Sequence, residues 1–298
     1  MSGKLPLRRR QISRALTRIA NAPVREVLDT IGDSHAPSAF RIGVTGPPGG
    51  GKSTLINALV KERLGKESEK TLAVLAIDPS SPVSGGAILG DRIRMDAIAD
   101  LPGLYLRSLS SRGARNGLCD NVVDLLTLLE THAFDEIIVE TVGVGQSEVA
   151  VHEVVDTLVL IVPPDAGDSV QTMKSGVLEM ADIVVVTKSD QPGALRMASD
   201  LSTVLCNRGD REVPVLQTEA NGAGLDALSR AIDDHRAWIR EHHPETLTQE
   251  SRRRYHLQAL IDRQVRDALK ADSDIASGTL STSYNRLLAA LQTQEGRH

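Results

Sequence analysis

From residue 39 onward the chain alternates short, nearly continuous apolar runs with longer stretches whose apolar residues recur every three or four positions. The runs are FRIGVT from 40, TLAVLAI from 71, EIIVET from 136, TLVLIVP from 157, DIVVVT from 182 and PVLQT from 214. Continuous apolar runs of this length are strands buried on both faces, and parallel neighbours require a crossover that is usually a helix. The pattern predicts an α/β domain with a mostly parallel sheet covered by helices on both faces.

Helical stretches flank that domain. Residues 9–31 read as one or two short helices with Ile12, Leu16 and Ile19 on one side, and GDSHAPS, 32–38, is a linker by composition. A helix starting at Leu225 and carrying Leu228, Ile232 and Trp238 closes the sheet domain. After the breaker-rich EHHPETLTQE, Leu257, Leu260, Ile261, Val265 and Leu269 mark an amphipathic helix. Its interleaved Arg252, Arg253, Arg254, Arg263 and Arg266 predict a solvated face. Tyr284 to Leu291 predicts a last short helix that pairs with it as a hairpin, the kind of element that often joins subunits. The expected division is 1–38, an N-terminal helical extension; 39–240, the sheet domain; and 241–298, a C-terminal helical arm.

Composition narrows the partners. The 298 residues carry a net charge of -5, which offers nucleic acid no broad basic footprint. No apolar run reaches the roughly 18 residues of a membrane span, so no membrane partner is expected. Cys119 and Cys206 lie far apart, which suits a reducing, cytoplasmic compartment. Lys4, Arg8, Arg9, Arg10, Arg14, Arg18 and Arg25 precede any acidic residue, which would also suit a segment targeting the mitochondrial matrix. The helical spacing favours an amphipathic helix of the mature protein.

The chemistry begins at Gly46. GPPGGGKS stands between the first strand and the helix STLINALV, the context of a phosphate-binding loop, and marks a P-loop nucleotide hydrolase. Gly46, Gly49, Gly50 and Gly51 let backbone N–H groups converge on phosphate oxygens, and Thr54 lies in the first turn of the helix that follows. Lys52 is placed to reach the β- and γ-phosphates, and the Ser53 hydroxyl to ligate Mg2+. Magnesium also calls for carboxylates at strand ends: Asp78, Glu140 and, after a glycine-rich stretch, Asp91. Glu140 opens ETVGVGQSE, where Gly143 has the spacing of a γ-phosphate sensor and Gln146 can orient the attacking water.

Downstream, DIVVVT runs into TKSD, residues 187–190. A carboxylate at Asp190 accepts hydrogen bonds from guanine N1–H and its 2-amino group, which adenine does not supply. Lys188 packs its stem along the base, and Thr187 stands where many GTPases have asparagine. Thr218, Glu219 and Ala220 follow the last strand, where Ala220 can offer its N–H to the base oxygen and Glu219 replaces the usual serine.

GVTGPPGGGKSTLINAL from Gly43, DPSSPVSGGAILGDRIRM from Asp78, RSLSSRGARNGL from Arg107 and VETVGVGQSE from Val139 together resemble the methylmalonyl-CoA mutase-associated GTPase family, also known as the LAO/AO transport ATPases. The resemblance implies a P-loop NTPase domain with an N-terminal helical extension and a C-terminal dimerisation arm, hence a homodimer. It implies that Lys52, Asp78, Asp91 and Glu140 surround the nucleotide and Mg2+. It further implies a GTPase, slow without its partner, that gates cofactor loading of an adenosylcobalamin-dependent acyl-CoA mutase and protects it, with cobalamin reached only through that enzyme. Arg115 and Asn116 make one segment more polar than the family pattern and are expected to retune the choice of mutase. Arg92, Arg94, Arg107 and Arg112 are candidates for an arginine finger. Two alternatives are a GTPase that inserts nickel into hydrogenase or urease, which calls for a His-rich tail or Cys–His ligands, and a small-molecule kinase, which leaves TKSD without a role.

Overall fold

A computed structural model of the chain describes residues 4–32, 39–67, 69–78, 95, 97–110, 119, 121–141, 147–165, 176–206, 212–242 and 245–295. Its centre is a seven-stranded parallel sheet of order β3-β2-β4-β1-β5-β6-β7. The strands are β1 Phe40–Thr45, β2 Leu72–Asp78, β3 Leu104–Ser110, β4 Glu136–Glu140, β5 Thr157–Val162, β6 Ile183–Val186 and β7 Val215–Gln217. The helices are α1 Lys4–Asn21, α2 Val24–Ile31, α3 Lys52–Lys66, α4 Val122–Glu130, α5 Ser147–His152, α6 Val177–Met180, α7 Ala194–Leu205, α8 Leu225–His242, α9 Glu245–Ala271 and α10 Leu280–Glu295.

Both faces of the sheet are covered, which is why the central strands read as unbroken apolar runs. Ile42, Val44, Val159 and Ile161 pack under α3 and α8, where Leu225, Leu228 and Ile232 are buried. Alternate residues of the same strands face α1, α2, α4 and α5 at one end and α6 and α7 at the other. Trp238 sits half-buried, stacked between His235 and His242. Beneath the sheet, Glu136 receives Arg63 through both carboxylate oxygens, and Arg63 also pairs with Asp233, tying α3, β4 and α8 together. Burial would lower the Arg63 pKa, but the two carboxylates outweigh it and raise it.

The apolar pattern does not reveal β3. Arg107 and Ser108 interrupt LYLRSLS, because this is an edge strand with one side turned to α1 rather than to another strand. Arg9 of α1 donates to the carbonyls of Leu101 and Leu104, and Arg107 donates to the Ser13 carbonyl and the Thr17 hydroxyl. A helix over an exposed edge removes a site for unwanted strand pairing. Ile12, Leu16 and Ile19 are buried beneath α1, so the basic N-terminal stretch packs as an amphipathic helix.

The C-terminal arm departs from its predicted pattern. EHHPETLTQE is helical from Glu245, so α9 starts within the expected breaker, and α10 starts at Leu280, ahead of Tyr284. Leu260 is buried, whereas Leu257, Ile261 and Leu269 are exposed. The arginines also divide. Arg253, Arg254 and Arg266 are exposed as expected, but Arg252 pairs with Asp156, and Arg263 donates to the buried Asp124 at 2.6 Å. His256 Nε2 lies 2.6 Å from the other Asp124 oxygen. Burial and the neighbouring Arg41 pull the Arg252 pKa down. The arm therefore docks through charged pairs together with a few apolar residues, Leu260 and Tyr255 among them, while Leu257, Ile261 and Leu269 face outward.

Candidate functional site

The phosphate loop joins the end of β1 to the start of α3 at the carboxyl edge of the sheet, where open α/β sheets take their ligands. Gly46 has φ 143°, and a Cβ there would meet the Ile161 carbonyl oxygen at 2.4 Å, so the loop can leave the strand only through glycine. Gly51 has φ 94° at the N-cap of α3 and packs against Thr187. The loop between them, with Gly49 and Gly50, leads into the N-terminus of a 15-residue helix, which favours an anion there. Lys52 is buried and donates from Nζ to the carbonyls of Gly46 at 2.9 Å and Pro47 at 3.1 Å. Its charge is held within the loop itself, while Thr54 is exposed on the first turn.

Glu140 ends β4 beside this loop, and Ser53 Oγ donates to its Oε1 at 2.9 Å with both side chains buried. A hydroxyl and a carboxylate brought together under a phosphate loop are hard oxygen donors, the set that suits Mg2+. The residues fit that ion: Ser53 and Glu140 would hold it, and it would neutralise charge on bound phosphates. Asp78 ends β2 at the same sheet edge, two positions beyond Ala76, the register partner of Glu140. Among the described residues there is no group of three or more His, Cys, Asp or Glu placed to hold a metal. Asp91, Gly143 and Gln146 lie outside the described residues.

The two segments expected to read guanine, TKSD and the residues after β7, meet beyond the ends of β6 and β7. Thr187 is buried and donates from Oγ1 to the Gly50 carbonyl at 2.7 Å. The residue in the asparagine's place thus fastens this segment to the phosphate loop. Lys188 adopts φ 53°, a left-handed conformation that costs a non-glycine residue and points to a local demand at this turn. Asp190 is exposed, two residues beyond Lys188. Ser189 N–H donates to the Thr218 carbonyl at 3.1 Å, which couples TKSD to the segment after β7. Glu219 is turned away into its own turn, where it accepts from Asn221 Nδ2 at 2.9 Å and its N–H donates to the Ala223 carbonyl. Ala220 is exposed beside it.

A phosphate loop over a buried Ser–Glu pair, with TKSD alongside, invites comparison with known GTPases. The family model for the methylmalonyl-CoA mutase-associated GTPase MeaB matches residues 12–274. The chain belongs to the MeaB family. A protein of Pyrococcus horikoshii whose assigned name is GTPase is 34% identical over 301 residues, covering 95% of this chain and 92% of its own. The mitochondrial methylmalonic aciduria type A homologue of Mus musculus is 42% identical over 183 residues, covering 61% of this chain and 43% of its own. A solved structure titled LAO/AO transport system kinase shares the fold, with a TM-score of 0.60 at 22% identity over 94% of this chain and 97% of its own.

Within this MeaB-family chain, Arg107 donates to the Ser13 carbonyl and the Thr17 hydroxyl of α1. Arg92, Arg94, Arg112, Arg115 and Asn116 lie outside the described residues. At Thr187 a buried hydroxyl replaces the expected amide at the same junction. Thr187→Val leaves the Gly50 carbonyl without that donor. Affinity for GTP and GDP should fall together, by about tenfold each, as expected for one buried hydrogen bond. Thr187→Ser should keep most of the affinity. Titration with fluorescent nucleotides checks this, and unchanged affinity in the valine variant would count against the assignment.

Proposed function

We propose that this chain is a Mg2+-dependent GTPase that switches an adenosylcobalamin-dependent acyl-CoA mutase, gating its cofactor loading and protecting the loaded enzyme. The observation that carries the GTPase part is the buried Ser53–Glu140 pair beneath a phosphate loop whose Lys52 is already oriented into it. In this reading Gly46, Gly49, Gly50, Gly51 and Thr54 contact phosphates through the backbone and first helical turn, and Lys52 neutralises the β- and γ-phosphates. Ser53, Asp78, Asp91 and Glu140 hold Mg2+, Gly143 senses the γ-phosphate and Gln146 orients water. Lys188, Asp190 and Ala220 read the guanine, while Thr187 and Glu219 brace the loops that carry them. Family membership and the methylmalonic aciduria homologue support the mutase as partner.

Homodimerisation through the C-terminal arm fits its outward apolar residues, Leu257, Ile261 and Leu269 on α9 and Leu280, Tyr284 and Leu288 on α10. Turnover is slow alone, and switch loops that differ between GTP and GDP bias docking only as far as the mutase distinguishes the two states. Co-purification of the tagged protein from native extract, with GDP or a non-hydrolysable GTP analogue, tests the reading. A cobalamin-dependent mutase recovered in amounts that change with the nucleotide is the expected result. Recovery of a nickel enzyme instead, or of a mutase at equal yield with both nucleotides, would overturn the partner assignment.

A further inference from the structure

Thr45 is the last residue of β1 and precedes Gly46, and Thr141 is the first residue after β4 and stands two positions before Gly143. The β1–β4 register pairs Val44 with Glu140, so the threonines face each other one step beyond the ladder. Thr141 N–H donates to the Val44 carbonyl at 3.1 Å. Thr141 Oγ1 donates to Thr45 Oγ1 at 2.8 Å, and both side chains are buried. Buried hydroxyls are costly where an apolar side chain of the same shape would pack, so the pairing calls for a reason other than core filling.

Distance supplies the reason. Methyl groups in contact rest about 3.5–4.0 Å apart, whereas these oxygens lie at 2.8 Å. The hydroxyl pair thus brings the two side chains closer than a pair of methyl groups in the same place would come. One of the strand ends that carry them becomes the phosphate loop, and the other leads toward Gly143. We propose that Thr45 and Thr141 are positioning residues that set the separation between the two strand ends and thereby the discrimination between GTP and GDP. This rests on the GTPase reading above. Neither residue touches the nucleotide in this scheme; the γ-phosphate is recognised by groups on both sides of the gap that the pair fixes, whereas GDP lacks that phosphate and makes only the base and phosphate-loop contacts that GTP shares.

The test compares Thr141→Val, Thr141→Ser and the double variant Thr45→Val with Thr141→Val. Dissociation constants for GDP and for a non-hydrolysable GTP analogue are measured with Mg2+, alongside melting temperature. In Thr141→Val the analogue should weaken about tenfold relative to GDP, the scale of one buried hydrogen bond, and serine should restore the ratio. The double variant removes both polar groups, so its melting temperature should return toward wild type. Its nucleotide ratio should stay altered, because two methyl groups hold the strand ends apart. A merely structural pair would recover both together. If Thr141→Val fails to fold, the double variant decides. A wild-type ratio in either folded valine variant overturns the inference, whereas wild-type protein that binds no guanine nucleotide refutes the GTPase reading and this inference with it.

Discussion

Lys52→Ala should lower kcat/KM for GTP by about 10³-fold or more, the loss expected when a preorganised charge aimed at developing negative charge is removed. The size follows from where the ammonium sits. Lys52 is buried as the first residue of α3, held by the carbonyls of Gly46 and Pro47, so its charge acts in a region of low dielectric. A bound triphosphate supplies stronger acceptors than those carbonyls and needs no new side chain to be brought in. The substitution should spare the fold, because α3 is anchored by Leu55, Ile56 and Leu59 rather than by Lys52. Phosphate release and melting temperature measured together check this. Turnover equal to wild type would remove Lys52 from the site.

Much of this architecture is legible in sequence because the decisive signals are local. A short continuous apolar run reports a strand buried on both faces, and GPPGGGKS between a strand and a helix reports its own backbone geometry. Ser53 and Glu140 lie 87 residues apart, yet each was foreseeable from its place in a motif, and the sheet register brings them to 2.9 Å. Long-range pairing is less visible. Thr45 and Thr141 are ordinary strand-end threonines until β1 and β4 are set side by side. LYLRSLS hides as a strand because Arg107 serves α1 instead of a core.

The arm shows the same limit in electrostatic form. Arg252 and Arg263 read alike as charges on one helix, yet each meets a carboxylate supplied by a different distant element, Asp156 and Asp124. Asp124 itself lies in the first turn of α4, where an acidic residue already suits the helix dipole. Its second use, receiving His256 and Arg263 of α9, depends on tertiary packing that no spacing along the chain encodes. Thr187 and Glu219 follow this pattern too: both depart from the common guanine-loop residues, and their hydrogen bonds to Gly50 and Asn221 give them roles within the loops.

The central claim is that this phosphate loop serves guanine nucleotides, and Asp190 is where that claim is most exposed to test. The residue is exposed on a segment tied to the phosphate loop by Thr187 and to the segment after β7 by Ser189. Two hydrogen bonds from guanine N1–H and the 2-amino group to a charged acceptor contribute about 1.5–3 kcal/mol each, so their loss weakens GTP by about 100-fold or more. An amide at the same position can donate to the 2-carbonyl of xanthine while still accepting from N1–H. The decisive measurement is therefore Mg2+-dependent phosphate release from GTP, XTP and ATP by wild type and Asp190→Asn. Wild type should act on GTP in preference to the other two, and the variant should reverse the order of GTP and XTP. Wild-type preference for ATP, or an Asp190→Asn protein that keeps its preference for GTP, would contradict the account.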